Sequence, residues 1–105
     1  MPTYKVLGQT FPLSATLTTL YTAPSQAVVS SLSVCNQGTS GTTFRVAVRP
    51  GGEAINQKHY VAYDTAVNAN DTVFLTLGMT LSGSDEVSVF ATTSSVSFNL
   101  FGTEI

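Results

Sequence analysis

Between residues 27 and 49 the chain twice repeats an apolar–polar alternation with a period of two. In Thr43-Phe44-Arg45-Val46-Ala47-Val48-Arg49, the side chains of Phe44, Val46 and Val48 take one face, and Thr43, Arg45, Ala47 and Arg49 take the other. Successive side chains of a strand point to opposite faces, so this pattern sends three apolar groups into a core and two guanidiniums out of it. Ala27–Asn36 follows the same rule more softly, with Val28, Leu32 and Val34 set against Ala27, Ser31, Ser33 and Cys35. The polar link Gln37-Gly38-Thr39-Ser40-Gly41-Thr42 has two glycines and no proline, which suits a hairpin longer than the tightest turns. The segment is expected to form the central antiparallel pair of a β-sandwich.

The flanking sequence extends the pattern. Residues 3–8 are a candidate edge strand, and Phe11-Pro12 marks a bend, because proline lacks a donor and restricts the residue before it. Residues 14–22 are threonine-rich, with Leu17 and Tyr21 in phase and Leu20 out of phase, a slip that predicts a bulge or break near Thr18-Thr19. Pro50-Gly51-Gly52 ends the central strand. Residues 57–64 are read as a strand, with His59, Val61 and Tyr63 alternating against Lys58, Tyr60 and Ala62. Residues 65–71 then form a polar connection. Val73, Leu75 and Leu77 alternate with Thr72, Phe74 and Thr76, and Gly78–Leu81 continues that strand past a kink. Residues 86–92 and 95–101 form a final pair, pointing Val87, Val89, Ala91, Val96, Phe98 and Leu100 inward. About eight short strands without helical periodicity predict one all-β domain over 1–105: an antiparallel sandwich with a Greek-key or jelly-roll path.

Composition narrows function. Charged residues are only 10% of the chain, well under the usual roughly one quarter, and threonine and serine supply the polar surface. Such a surface packs against a neighbour with little charge to desolvate. Four basic residues and a net charge of −2 cannot supply the basic stripe that nucleic acid requires. No apolar run approaches the ~20 residues of a membrane span, and Met1–Lys5 leads into no signal-peptide core, so a soluble protein of the cytoplasm is expected. A single cysteine makes no intrachain disulfide.

Candidate chemistry is sparse. His59 is the only histidine, and a metal site ordinarily needs more nitrogen or sulfur ligands, so it reads as a structural histidine. Cys35 reads as an ordinary buried thiol without a base beside it. Asp64, Asp71, Asp85 and Glu86 fall at strand ends, where turn aspartates bond local backbone, and their spacing matches no calcium loop. Gly51-Gly52 lacks the helix and lysine of a phosphate loop, and Asn70-Asp71-Thr72 reads as a turn. No catalytic residue, cofactor or metal ligand is assigned. Arg45 and Arg49 are the candidate interface residues. Lying about 13 Å apart along one strand face, they have two open sets of partners: carboxylates of a neighbouring subunit, or acidic groups of the same chain.

Thr19-Leu20-Tyr21-Thr22-Ala23-Pro24 with Ala27–Asn36, Thr43–Gly52, Lys58–Asp64 and the tail from Leu81 to Ile105 together resemble small all-β virion structural proteins of tailed bacteriophages, including cyanophages. The resemblance covers roughly residues 18–105. It implies a non-enzymatic particle component located in the virion, a homo-oligomer (a trimer is expected) bound to other virion proteins. Capsid decoration or cement is favoured over a tail, baseplate or fibre-attachment part. The alternative class is a receptor- or carbohydrate-binding module that presents Tyr60, Tyr63, Phe74 and Phe90 to a glycan.

Overall fold

A computed structural model describes residues 2–76 and 78–105. It contains nine strands: β1 (Thr3–Thr10), β2 (Thr18–Thr22), β3 (Ala27–Asn36), β4 (Thr42–Arg49), β5 (Tyr60–Val67), β6 (Asp71–Leu75), β7 (Met79–Leu81), β8 (Glu86–Ala91) and β9 (Val96–Glu104). Single 3₁₀ turns cover Pro50–Gly52 and Gln57–His59. Every pairing is antiparallel. One sheet, A, runs β1-β9-β3-β6 with β7 also on β3, and the other, B, runs β2-β8-β4-β5. β6 and β7 are two halves of one strand, since β6 pairs with Leu32–Asn36 of β3 and β7 with Ala27–Val29. Gly78, at φ +57°, lies at the break. Counted this way, eight strands follow the path of a jelly roll. The kink predicted before Gly78–Leu81 is where the strand divides. The inward placement of Leu77 lies outside the described residues.

The two sheets meet over one apolar core. Val96, Phe98 and Leu100 of β9 face Val87, Val89 and Ala91 of β8, and all six are fully buried, as the alternation predicts. Phe44 and Val46 are fully buried as well, and Val48 packs against the core at its margin. Phe44 meets Phe98 edge-on across the sandwich, 6.2 Å between ring centroids.

Three expectations are corrected. First, β3 and β4 are not a hairpin. β3 pairs with β9, β6 and β7, while β4 pairs with β5 and β8, so the Gln37–Gly41 link is an arch from one sheet to the other. The pair β8–β9 is likewise an arch. An amphipathic strand buries its apolar row equally well beside its neighbour or across from it, so alternation does not distinguish the two connections. The arches stack at one end. Gln37 N donates to the Ser95 carbonyl at 2.7 Å, and buried Asn36 collects both loops, its Oδ1 accepting from Gly38 N at 2.9 Å and Ser95 Oγ at 3.0 Å. Second, Val28 is exposed, and Ala27 and Val29 are buried, because a bulge between Val29 and Ser31 shifts the phase ahead of Leu32. Third, Ala47 points outward yet is fully buried, because the 50–59 segment folds back over it and its neighbour Ser88. The slip in the second strand is a bulge at Leu20, between Thr19 and Tyr21, which buries both Leu20 and Tyr21.

Candidate functional site

The sandwich has two unlike outer faces. On sheet A the register places Tyr4, Val6 and Gln9 of β1 beside Asn99 and Phe101 of β9. Ser31, Ser33 and Cys35 of β3 come next, followed by Phe74 and Thr72 of β6. Among the described residues, no charged side chain stands in these rows. Tyr4 and Phe74 are 82% and 70% exposed, large apolar groups set in a field of hydroxyls and amides. The side-chain amides of Gln9 and Asn99 bond each other at 2.6 Å. Lys5 turns the other way, to the rim between the sheets. There it reaches Glu104 at 3.4 Å, and the Tyr21 hydroxyl donates to the same carboxylate at 2.6 Å. Burial, and then this bond, push the Tyr21 hydroxyl well above its ordinary value. The same bond holds the Glu104 carboxyl below the usual range.

Sheet B carries the arginines. Arg45 Nε donates to Asp64 Oδ1 at 2.7 Å and Nη2 to Oδ2 at 3.4 Å. Its guanidinium lies 4.2 Å from the centroid of the Tyr63 ring and 4.5 Å from that of Phe90, a cation–π arrangement. The hydrogen bond from Arg45 to Asp64, with that carboxylate's charge, keeps this guanidinium more firmly protonated than usual. The local cause is a bulge. Between Phe44 and Val46 the paired residues on β5 step from Thr65 to Ala62, and the extra residue leaves Asp64 at φ +50°. That left-handed conformation, which aspartate tolerates better than most residues, aims the carboxylate at Arg45. It also lets β5 run to Val67, whereas the sequence ends the strand at Asp64.

Arg49 fastens the loop that follows it. Nη2 donates to Glu86 Oε1 at 2.7 Å, Nε to Ser88 Oγ at 3.1 Å and Nη1 to the Glu53 carbonyl at 2.9 Å. Both arginines therefore meet carboxylates of their own chain, one of the two sets of partners open in the sequence. Beyond Glu53 the Gln57–His59 turn is capped by Asn56, whose Oδ1 accepts from Lys58 N. His59 Nδ1 accepts from Asn56 N at 3.0 Å, and its Nε2 lies 3.2 Å from Glu53 Oε1. His59 is thus buried and structural, in a turn ahead of β5 and not within a strand. Gln57 is a site residue that the strand reading of 57–64 conceals, and Asn56, left in the loop before it, is another. The available signal is an N-cap asparagine three positions before a side chain able to return the bond.

A depression of about 400 Å³ lies where this turn meets the sheet, lined by Arg45, Ile55, Asn56, Gln57, Tyr60 and Tyr63. Tyr60 and Tyr63 stand edge to face, 5.0 Å apart. Of the four aromatic residues proposed for a glycan, Tyr60, Tyr63 and Phe90 share this face, while Phe74 belongs to sheet A.

The remaining candidates separate. Cys35 is half-buried on the outer face of sheet A, not in the core, and His59 lies over sheet B, so the sandwich stands between them. Asp85 accepts from Gly51 N and Ser82 N, and Asp71 from Thr72 N, as turn aspartates do. The two bonds lower the Asp85 carboxyl, Ser82 contributing most. No group of three His, Cys, Asp or Glu side chains converges among the described residues. No helix there is long and apolar enough to cross a membrane. No protein-family model matches this chain, and no curated protein matches it.

Proposed function

We propose that this chain is a non-enzymatic structural protein of a bacteriophage particle, a homo-oligomeric accessory subunit that buries the outer face of sheet A against its neighbours. The observation that carries the reading is the lack of charge across that face, combined with the exposure of Tyr4, Val6 and Phe74 upon it. Burying a charge without good pairing costs several kcal/mol, and this face has none to bury. The two longer dimensions of the molecule, 42 and 27 Å, bound about 1,100 Å², against the roughly 800 Å² that a standard interface buries on each partner. The virion assignment comes from the sequence resemblance, and within the particle a capsid decoration or cement role suits a compact domain without fibrous repeats. A tail or baseplate position is the competitor.

Face burial is favoured over edge-to-edge extension of sheets. Each exposed edge is interrupted: β1 by a register shift between Val6 and Gly8, β2 at Leu20, β5 by two further shifts, and β6/β7 by its break. Bulged and broken edges are poor templates for another strand.

Sedimentation of the purified protein is expected to show a homo-oligomer, a trimer in the simplest case. Phe74→Glu, which sets a charge at an exposed position of β6, is expected to yield folded monomers with the circular dichroism spectrum of the wild type and to abolish incorporation into particles lacking the component. Cryo-electron microscopy of the particle then separates capsid from tail. A wild-type monomer whose incorporation ignores Phe74→Glu refutes the assembly face.

A further inference from the structure

We propose that the depression on the outer face of sheet B binds a neutral saccharide. Saccharides present apolar C–H faces rimmed by hydroxyls, and sites that hold them need an amphipathic wall with a few convergent hydrogen-bonding groups. Here the wall is Tyr60 and Tyr63, with Ile55 at the margin. The polar groups are the Arg45 guanidinium and the side-chain amides of Asn56 and Gln57. The Asn56 cap uses its Oδ1, which leaves the Nδ2 donors for a ligand. The volume, about 400 Å³, falls in the roughly 300–1,000 Å³ range of small-molecule sites.

Two observations mark the depression as built. Arg45 is held on three sides, by Asp64 and by the Tyr63 and Phe90 rings, where a solvated arginine would otherwise sample many rotamers. A donor fixed in advance loses little freedom on binding. Asp64 takes a left-handed backbone conformation in a bulge to provide this clamp, and such local strain concentrates at binding sites. The charge balance selects the ligand. Because Asp64 lies 2.7 Å from Arg45, the guanidinium's charge is already matched. An anionic sugar or phosphate would have to compete with that carboxylate, whereas a neutral hydroxyl accepts from the guanidinium without displacing it. The site lies on the opposite side of the sandwich from sheet A, so it stays open when that face is buried, and the inference stands independently of the assembly reading.

The test is titration of the isolated full chain with methyl glycosides of glucose, galactose, mannose and N-acetylglucosamine, beside sialic acid and glucose 6-phosphate, followed by amide chemical shifts. At least one neutral glycoside is expected to saturate with a Kd of about a millimolar, the scale of a ligand this small. Shifts should be confined to Arg45 and residues 55–64. Tyr63→Ala and Gln57→Ala are each expected to weaken it about tenfold or more, while Phe74→Ala on the other face leaves it unchanged. Gln57 is exposed in its turn, so that variant decides the matter if Tyr63→Ala fails to fold. The proposal is overturned if no neutral glycoside saturates, if only the charged probes bind, or if a folded Gln57→Ala binds as the wild type does.

Discussion

Phe44→Ala removes the ring that joins the two sheets. Phe44 is fully buried in sheet B and meets Phe98 of sheet A at 6.2 Å and an interplanar angle of 70°. Truncating a buried phenylalanine costs about 3–5 kcal/mol in lost transfer energy and cavity, and the edge-to-face pair accounts for about 0.5–1.5 kcal/mol of it. A domain of 105 residues has a total stability of about 5–15 kcal/mol. The substitution therefore consumes about a fifth of it or more, and at about 4–8 °C per kcal/mol lowers Tm by roughly 12–40 °C. With no tryptophan in the chain, urea unfolding is followed by far-ultraviolet circular dichroism and tyrosine fluorescence. Phe98→Ala and the double variant complete a cycle, whose coupling is expected at about 0.5–1.5 kcal/mol. Leu13→Ala, on an exposed side chain in the loop between β1 and β2, is the control and should fall within about 0.5 kcal/mol of wild type. A Phe44→Ala cost under about 1 kcal/mol, or a Leu13→Ala cost as large as that of Phe44→Ala, would falsify the register of β4 against the core.

Two further outcomes follow from the packing and the rim. A Cβ at Gly8 would collide with the backbone carbonyl oxygen of Leu20, whereas one at Gly41 makes ordinary contact with the Val67 carbonyl at 3.7 Å. Gly8→Ala is therefore expected to cost about 1–3 kcal/mol in chemical denaturation and Gly41→Ala much less; equal costs would place β1 and β2 wrongly. The Glu104 carboxyl is depressed below 4.5, first by the Tyr21 hydroxyl. The folded state thus binds fewer protons than the unfolded chain between the two values, so this contribution is complete above pH 4.5 and is lost as pH falls through the lowered value. Tyr21→Phe removes the donor, so its Tm deficit should be larger at pH 7 than at acid pH, and a deficit independent of pH would show that the bond to Glu104 has no bearing on stability.

The sequence makes the layers of this fold legible and leaves their connections ambiguous. Val87, Val89, Val96, Phe98 and Leu100 alternate without interruption, and every one is buried. Alternation fails where the chain inserts a residue, at Ser30 between Val29 and Ser31 and again beside Asp64, because a bulge shifts the phase without changing composition. It is silent on whether Gln37–Gly41 turns beside β3 or arches over the core. The site was half visible. Arg45, Tyr60 and Tyr63 stand out as outward or aromatic residues on neighbouring strands. Their convergence with Asn56 and Gln57 depends on Arg49 fastening Glu53, a contact between loop carbonyl and guanidinium that no local pattern announces.

The placement of the few charged groups explains how one small domain can hold two kinds of surface. Lys5 and Glu104 meet at the rim, Arg45 with Asp64 and Arg49 with Glu86 lie on sheet B, and Glu53 and Lys58 belong to the turn that folds over it. Asp71 and Asp85 bond backbone in turns. Among the described residues, no charged side chain is left for the outer face of sheet A. A face exposed on a monomer gains solubility from mixed charge and loses nothing by carrying it. A face that is buried in an assembly carries the opposite preference, because each ion removed from water must be paired again. Sheet B, with its ion pairs partly solvated and its loop in place, would be costly to bury and suits a ligand of matched size. Sheet A would cost little to bury, and its edges are too interrupted to pair with other strands. The chain's low charge is therefore not a uniform property of its surface: it follows from one sheet being kept free of charge, which is the division a subunit needs if it is to be held on one side and reachable on the other.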